Sequence, residues 1–378
     1  MRYCRRCILP DTRPNLVLGP DGVCNACRNH GTRPSIDWAA RAAAFRKVVE
    51  SAKSRSEGYD CLIPVSGGKD STWQVATCLE HGLKPLAVTW KTPGRTSIGE
   101  LNLRNLISLG VDHIDYAISP KVEAAFMVEA LRRFGDTAIP MHMALFNIPL
   151  KIASRFRIPL VVWGENSAFE YGSEGEENQG FKLDAAWLRK FGVTQGTTAA
   201  DWISEKLSGK DLTPYFGPGD EELEKNDVAA VFMGYYFPWD PETSLAVASA
   251  HGFRPRAEGP LTGYYDYADI DDHFISIHHW LKWYKFGFTR LFDNLSLEIR
   301  NGRMTRDKAI AEVRRLGSQK PDTDIGRFCA FAGIGIGEFH AIIEKFRNPA
   351  VWTRKAGEGG SEGNWLIRDF LIPDWPWG

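Results

Sequence analysis

The amino-acid sequence predicts an α/β fold with a parallel five-stranded sheet that carries helices on both faces. Short apolar runs typical of buried strands alternate along the chain with segments of helical spacing, and this alternation favours parallel strands joined by right-handed crossovers. Polar clusters that contain glycine follow the first and fourth predicted strands, at the edge where such sheets place their sites. A cysteine-rich knuckle precedes the sheet and a mainly helical region follows it, which gives predicted domains of residues 1–34, 35–251 and 252–378.

The individual elements follow from caps, turn residues and hydrophobic spacing. Ser35 is predicted to cap a helix that runs to about Lys53, and Ser97 begins a capping box with Glu100 for a helix that stops at Gly110. The predicted strands cover residues 59–65, 84–90, 111–118, 158–163 and 228–233. Further helical spacing covers residues 73–82, 120–134, 140–156, 270–286, 289–301, 305–316, 323–332 and 337–347, and an aromatic tail covers residues 365–377.

Composition narrows the class of protein. The 46 basic residues nearly balance the 47 acidic ones, for a formal net charge of -1, which argues against a broad basic face for nucleic acid. No apolar run approaches the roughly 18 residues of a membrane span, and the N-terminus lacks the apolar stretch of a signal peptide. We therefore expect a cytoplasmic enzyme with no membrane contact.

Four of the seven cysteines lie near the N-terminus as two Cys-x2-Cys pairs, formed by Cys4, Cys7, Cys24 and Cys27. Two such pairs bring four thiolates together, which is the pattern of a tetrahedral zinc site. A structural zinc knuckle is the preferred interpretation, because four thiolates leave no open position for catalysis. An iron–sulfur cluster is the alternative.

A polar hexapeptide, called the glycine loop below, joins the first apolar strand to a helix. It consists of Ser66, Gly67, Gly68, Lys69, Asp70 and Ser71. The two glycines let a ligand approach the backbone closely, and the free amides at the start of a helix attract anions. The loop therefore predicts a phosphate site, although its spacing is not that of the Walker motif.

This loop resembles the SGGxDS loop of the PP-loop, or N-type, ATP pyrophosphatases, which transfer AMP from ATP to a substrate oxygen. Within that superfamily, whose fold is that of the adenine nucleotide alpha hydrolases, the chain resembles the N-acetyl sugar amidotransferases of surface-polysaccharide pathways. The matching features are Cys4-x-x-Cys7, residues 59–71 (YDCLIPVSGGKDS), 163–166 (WGEN), 235–240 (YYFPWD), 285–288 (KFGF) with Arg290 and Asp293, and 299–302 (IRNG).

The resemblance implies that the oxygen of a sugar's acetamido group is adenylylated and then replaced by ammonia, which leaves an acetamidino group. ATP and Mg²⁺ are the implied cofactors, with zinc as a structural ion. Asp70, helped by Glu165, is implied to hold Mg²⁺, and Lys69 either joins them as a catalytic residue at a phosphate or lies exposed on its helix. The residues implied to cradle the diphosphate are Ser66, Gly67, Gly68 and Ser71. Those implied to contact the rest of the nucleotide are Val88, Thr89, Trp90 and Gly164.

Residues of the second half of the chain are candidates for binding the sugar, which is either a nucleotide sugar or a nonulosonic acid. The candidates are Tyr171, Lys285 and Arg290. A helix with its apolar face in the core and its lysines in water explains the basic residues equally well. His278 and His279 suit a catalytic base or the core, and the core is the preferred interpretation.

Two acidic segments have open interpretations. Residues 165–180 are either a loop over the site or a solvated insertion. The carboxylates of residues 269–272 suit a cation, or they merely complement the positive end of a helix.

The source of ammonia is predicted to lie outside the chain. An N-terminal nucleophile is excluded because Cys4 belongs to the zinc pattern, and Cys61, Cys78 and Cys329 lack the Gly-x-Cys-x-Gly elbow of a triad glutaminase. The resemblance implies a separate glutaminase and an ammonia-channelling subunit similar to the histidine-biosynthesis cyclase.

Two other functions remain as alternatives. A PP-loop enzyme that installs sulfur in tRNA is disfavoured by the near-neutral charge and by the lack of a second, catalytic Cys-x-x-Cys. A nucleotide-sensing scaffold is disfavoured because the whole glycine loop is intact.

Overall fold

The computed structural model describes residues 1–164, 193–354 and 364–375. Within these ranges the chain forms a sheet of five parallel strands in the order β3-β2-β1-β4-β5. The strands are β1 (Cys61–Pro64), β2 (Pro85–Trp90), β3 (Asp112–Tyr116), β4 (Leu160–Trp163) and β5 (Ala229–Phe232). The predicted parallel α/β fold is therefore confirmed, although each strand is shorter than the apolar run that predicted it.

The direction in which strands are added to the sheet reverses at β1. It places β2 and β3 on one side of β1 and then moves to the other side for β4 and β5. Leu62 of β1 accordingly pairs with Leu86 of β2 and with Val161 of β4. The carboxyl ends of β1 and β4 flank the crevice at which open α/β sheets bind ligands, and the glycine loop and Gly164 follow these two ends.

Helices cover both faces of the sheet and build the region after it. They are α1 (Asn25–Gly31), α2 (Trp38–Arg55), α3 (Lys69–Glu80), α4 (Ser97–Ile107), α5 (Pro120–Phe134), α6 (Ile139–Phe156), α7 (Asp220–Lys225), α8 (Met233–Tyr236), α9 (Pro241–Ala250), α10 (Phe274–Phe286), α11 (Arg290–Arg300), α12 (Arg306–Leu316), α13 (Asp322–Ala332) and α14 (Ile336–Glu344). Leu62 packs towards α5 and α6, whereas Cys61 and Ile63 pack towards α2, α3 and α4, because successive side chains of a strand point to opposite faces.

Two helix caps differ from the prediction. Asp37, not Ser35, caps α2, and its carboxylate accepts a first-turn amide hydrogen bond at 2.9 Å. Thr96, not Ser97, caps α4, and its hydroxyl accepts a first-turn amide at 3.0 Å. In both places the cap is the side chain whose oxygen reaches the amide of the third helical residue. The sequence offers a second polar residue nearby, and the pattern alone does not tell which of the two is the cap.

Helix α10 begins at Phe274 rather than at residue 270. The preceding residues instead hydrogen-bond to the segment that leads into α4. The Thr96 amide donates to the Asp271 carbonyl at 3.0 Å, and the His273 amide donates to the Gly94 carbonyl at 2.9 Å. Residues 270–273 therefore form a strap against residues 94–96, and the Asp271 carbonyl and the His273 amide are engaged there.

The knuckle shares an apolar cluster with the C-terminal part of the chain. Its cysteines pack with side chains of α10, α11 and α12 and with the hairpin of β6 (Trp352–Arg354) and β7 (Trp365–Ile367). Part of the predicted aromatic tail is thus a strand. None of the helices in the described ranges combines the length and apolar character needed to span a bilayer.

Candidate functional site

The glycine loop turns sharply between β1 and α3. Gly67 has a φ of +87°, and a Cβ on it would lie 2.5 Å from the backbone nitrogen of Leu103, so only glycine fits this position. Gly68 precedes α3 without a side-chain cap, and its amide donates to the Ser66 hydroxyl at 3.2 Å. The first-turn amides of α3 are therefore left for a ligand, as in an anion site at a helix start.

Lys69 is buried, with 4% of its surface exposed, and so does not lie in water as one alternative supposed. Its ammonium group lies 2.5 Å from Asp70 Oδ2, and the Trp239 indole donates to Asp70 Oδ1 at 2.9 Å. The same ammonium lies 5.7 Å from the Trp239 ring and 5.9 Å from the Tyr267 ring, within the range of a cation–π attraction. The start of α3 thus presents a lysine and an aspartate that are held in place by aromatic side chains.

A cavity of about 170 Å³ lies against the glycine loop. One wall consists of Ser66 and the residues from Gly68 to Ser71. The opposite wall combines aromatic and polar side chains, namely Trp239, Tyr265, Tyr267, Asp269, Asp271, Arg290 and Asn294. Aromatic faces beside carboxylates and a guanidinium suit a polar ligand with apolar patches, such as a sugar.

The two carboxylates of the cavity have different environments. Burial alone would raise the pKa of Asp269, but Arg290 at 2.8 Å and His279 at 3.7 Å outweigh it and hold that pKa well below its usual range. Burial raises the pKa of Asp271 to about 6, against the opposing effect of a hydrogen bond from Ser66. One carboxylate is therefore a fixed anion, and the other can take up a proton near neutral pH.

Lys285 does not line this cavity, whereas Arg290 does. The Lys285 ammonium lies 3.3 Å from Asp136, which also accepts a hydrogen bond from His278 Nδ1 at 2.8 Å. Burial lowers the pKa of His278 despite this carboxylate. Both histidines of the predicted pair lie in the core, and sugar binding by Lys285 stays a prediction.

The predicted nucleotide-contacting strand end is engaged in the fold. The Val88 carbonyl accepts from the Val65 amide at 2.8 Å, the Thr89 hydroxyl lies 2.9 Å from His113 Nε2, and the Trp90 indole donates to Glu123 at 2.8 Å.

Gly164 lies across the crevice, where a Cβ would collide with the Gln74 amide. Glu165, Tyr171 and the loop of residues 165–180 lie outside the described residues.

The four knuckle cysteines are buried, and their ligand atoms lie within 4.8 Å of one another. Two sulfur pairs, Cys4 with Cys27 and Cys7 with Cys24, are 3.9 and 3.8 Å apart. A tetrahedral ion with Zn–S bonds of 2.3 Å requires sulfurs about 3.8 Å apart, so the spacing fits one ion. A polynuclear iron–sulfur cluster fits less well, because its thiolates bind different irons and must lie farther apart.

In the described ranges, these cysteines form the one group of three or more His, Cys, Asp or Glu side chains gathered closely enough for a metal. The carboxylates of residues 269–272 therefore do not assemble a cation site by themselves.

Fold and site together define an α/β protein with a glycine-rich loop and an uncapped helix start at the switch point of its sheet. Residues 258–365 match the family described as LPS biosynthesis protein WbpG-like, C-terminal domain. This segment supplies the cavity wall from Tyr265 to Asn294. No curated protein matches the chain in sequence. Among solved structures, an NMN synthetase from Francisella tularensis is similar at 12% identity and a TM-score of 0.34, over 75% of this chain and 97% of that one.

Several cavity residues carry little signal in the sequence. Trp239 belongs to a segment that carries the family resemblance, but its contact with Asp70 has no local pattern. Tyr265 and Tyr267 lie in a stretch without helical or strand period. Asp271 was visible only as one member of an acidic cluster.

Proposed function

We propose that this chain is a PP-loop enzyme of glycan biosynthesis. In the proposed reaction it uses ATP to adenylylate the acetamido oxygen of an N-acetylated sugar, and ammonia then replaces that oxygen to give an acetamidino group. The supporting observation is the cavity itself, in which the glycine loop faces aromatic and charged side chains of the segment that matches an LPS biosynthesis family.

The residues of the loop suit the first half of this reaction. The uncapped start of α3 and the Lys69 ammonium together offer positive charge to a departing diphosphate. Magnesium, when bound, would neutralise phosphate charge. It is commonly held by one or two carboxylates together with the phosphates, and Asp70 provides one such carboxylate at the cavity.

Aromatic side chains suit the second substrate. Trp239, Tyr265 and Tyr267 can cover the apolar face of a sugar ring, while the Arg290 guanidinium can bind a carboxylate or phosphate on it. A nucleotide sugar or a sugar acid provides such an anionic group.

Ammonia is proposed to come from a separate glutaminase and to reach this chain through a cyclase-like subunit. Cys61, Cys78 and Cys329 are buried, which does not suit a glutaminase nucleophile. Pure protein should therefore form amidine with ammonium salts and not with glutamine, and robust glutamine use by the chain alone would contradict this.

Mass spectrometry of acetamido sugars incubated with protein, ATP, Mg²⁺ and ammonium tests the proposal. The expected result is the mass change for replacing oxygen by NH, with AMP and pyrophosphate formed in equal amount. Formation of ADP and orthophosphate would contradict it. AMP release that depends on tRNA and not on sugar would favour the sulfur-transfer alternative.

A further inference from the structure

Asp271 lies in the cavity that the glycine loop lines. Asp271 and Ser66 line the same cavity, and the Ser66 oxygen accepts a hydrogen bond from the Gly68 amide at 3.2 Å. Asp269, two residues earlier in the same cavity, is instead paired with Arg290 at 2.8 Å. Of these two neighbouring carboxylates, one is thus held by a guanidinium and the other lies beside the glycine loop.

The backbone of Asp271 is held firmly in place. Its carbonyl accepts from the Thr96 amide at 3.0 Å. Helix α4 passes so close that a Cβ on Gly99 would lie 2.7 Å from the Asp271 Cα. The Asp271 carboxyl therefore has a defined position beside the loop, which proton transfer to a reacting group requires.

We propose that Asp271 is the catalytic base of the amination step and that Asp269 is the fixed anion that balances the positive charge formed there. This inference rests on the proposed function.

Ammonia bonds to the carbon of the protonated O-adenylyl imidate, and its nitrogen becomes a cationic NH3 group. Asp271 accepts one proton from that group. The nitrogen lone pair then expels AMP, the carbon–oxygen bond breaks, and its electron pair leaves with AMP. The amidinium product keeps one positive charge, and the proton on Asp271 passes to water.

The electrostatics of the cavity agree with this division of roles. Burial raises the pKa of Asp271 to about 6, whereas the pKa of Asp269 is held well below its usual range. Two carboxylates whose pKa values are pushed apart by their surroundings commonly divide acid–base and electrostatic roles. The charged groups that act on Asp271 are Asp269 and Asp272 of its own segment and Arg95 of the segment paired with it, and Lys69, Asp70 and Arg290 line the same cavity.

Asp271→Asn separates the two half-reactions. Sugar-dependent exchange of pyrophosphate into ATP reports adenylylation, and amidine formation at constant free ammonia reports the whole reaction. In this variant we expect amidine formation to fall by about 10²- to 10⁴-fold while the pyrophosphate exchange persists. Hydroxylamine in place of ammonia should restore turnover, because its adduct loses a proton more readily.

Asp272→Asn is the matched control. Asp272 is buried, and its carboxylate accepts the Phe274 amide at 2.9 Å, a bond that the asparagine oxygen can keep. Both assays should stay near wild type in this variant. In the wild-type enzyme, amidine formation should decline below about pH 6, and this acidic limb should vanish in Asp271→Asn and persist in Asp272→Asn.

Normal amination by Asp271→Asn, or joint loss of exchange and amination, would overturn the inference. A wild-type profile without the acidic limb would overturn it even if the asparagine variant failed to fold, and Asp271→Glu should retain the limb. Failure of the proposed function is seen separately, as absence of amidine from the wild-type protein with every sugar.

Discussion

The knuckle and the glycine loop are both turn-rich segments that lead into a helix. They differ in whether a side chain accepts a hydrogen bond from the backbone amides of the first helical turn. Cys24 caps α1 with its own side chain, and its sulfur accepts the Cys27 amide at 3.4 Å. Gly68 gives α3 no side-chain cap, so the first-turn amides there are available to a ligand. One local arrangement is therefore closed on itself, and the other opens into a cavity.

Their surroundings differ in the same direction. Around the knuckle, the buried carboxylate of Asp293 is paired with Arg13 at 2.8 Å. At the cavity, burial raises the pKa of Asp271 to about 6, and outside the cavity lining it raises the pKa of Asp272 to about 7 and that of Glu123 to about 8. A buried carboxyl with a raised pKa lowers the stability of the folded state near neutral pH. The ion pair of Asp293 with Arg13 thus favours stability beside the knuckle, whereas Asp271, Asp272 and Glu123 oppose it near neutral pH.

Cys4→Ser should have the largest effect, because it removes one of four thiolates. Structural zinc contributes on the order of 10 kcal/mol to the folding of such units, and the knuckle packs against α10 and α11. We expect zinc content well below one ion per chain and a lower melting temperature, measured by elemental analysis and calorimetry.

Cys329→Ala is the control for this change, since Cys329 is equally buried but lies apart from the knuckle. It should keep its zinc. A Cys4→Ser protein that folded and kept its zinc but lost catalytic activity would contradict this prediction, because the knuckle would then take part in the reaction.

Arg13→Met tests the link between the knuckle and α11. It leaves Asp293, which is 1% exposed, with Lys282 at 3.7 Å as its remaining ion-pair partner in the described residues. Loss of one partner of a buried pair costs about 3–5 kcal/mol, measurable by denaturant unfolding. Arg314→Met, which removes an exposed pair with Asp374, should cost less than about 1 kcal/mol. Equal costs would show that Asp293 is not truly desolvated.

Much of the fold could be predicted because its signals are local. Apolar runs mark the strands, and the glycines of the loop mark the turn at β1. Helix α9 was missed because its buried positions, Pro241, Ser244 and Ala248, are small and give little hydrophobic contrast. The site could be predicted only in part, for a different reason.

The loop residues were visible in the sequence, but the fate of each side chain depends on distant partners. Lys69 could have been buried or exposed until Trp239, far along the chain, is placed beside it. Lys285 shares a helical pattern with Lys282, yet its ion-pair partner is Asp136, which lies between α5 and α6. Such pairings are set by tertiary packing, and no local spacing encodes them.

Gly67→Ala tests the open side of the comparison. The new Cβ would meet the Leu103 backbone in a left-handed conformation, so the loop must shift, and a displacement of about 1 Å near reacting groups can cost about 10²-fold in rate. AMP formation should fall accordingly. Gly110→Ala has a similar φ of +96° with no atom within 4 Å of the added carbon, so it should lose about 1–2 kcal/mol of stability and keep its activity. Normal activity of Gly67→Ala would show that the loop does not hold the nucleotide.

Glu123→Gln gives the smallest effect and measures the stability that is lost by burying a carboxyl group on α5, outside the cavity lining. Burial raises the pKa of Glu123 from 4.5 to about 8, although the Trp90 indole donates to it. The folded state therefore binds a proton that the unfolded chain has released, and stability falls as pH rises between those two values. Glutamine keeps the indole hydrogen bond and does not titrate. Relative to Glu123→Gln, the wild type should thus lose at least about 1 kcal/mol between about pH 5 and pH 8, measured by urea unfolding. Asp272 titrates in the same direction in both proteins, so its contribution largely cancels from the difference in stability. If the stabilities of the wild type and Glu123→Gln changed in parallel with pH, the Glu123 carboxyl would be hydrated and would not oppose folding.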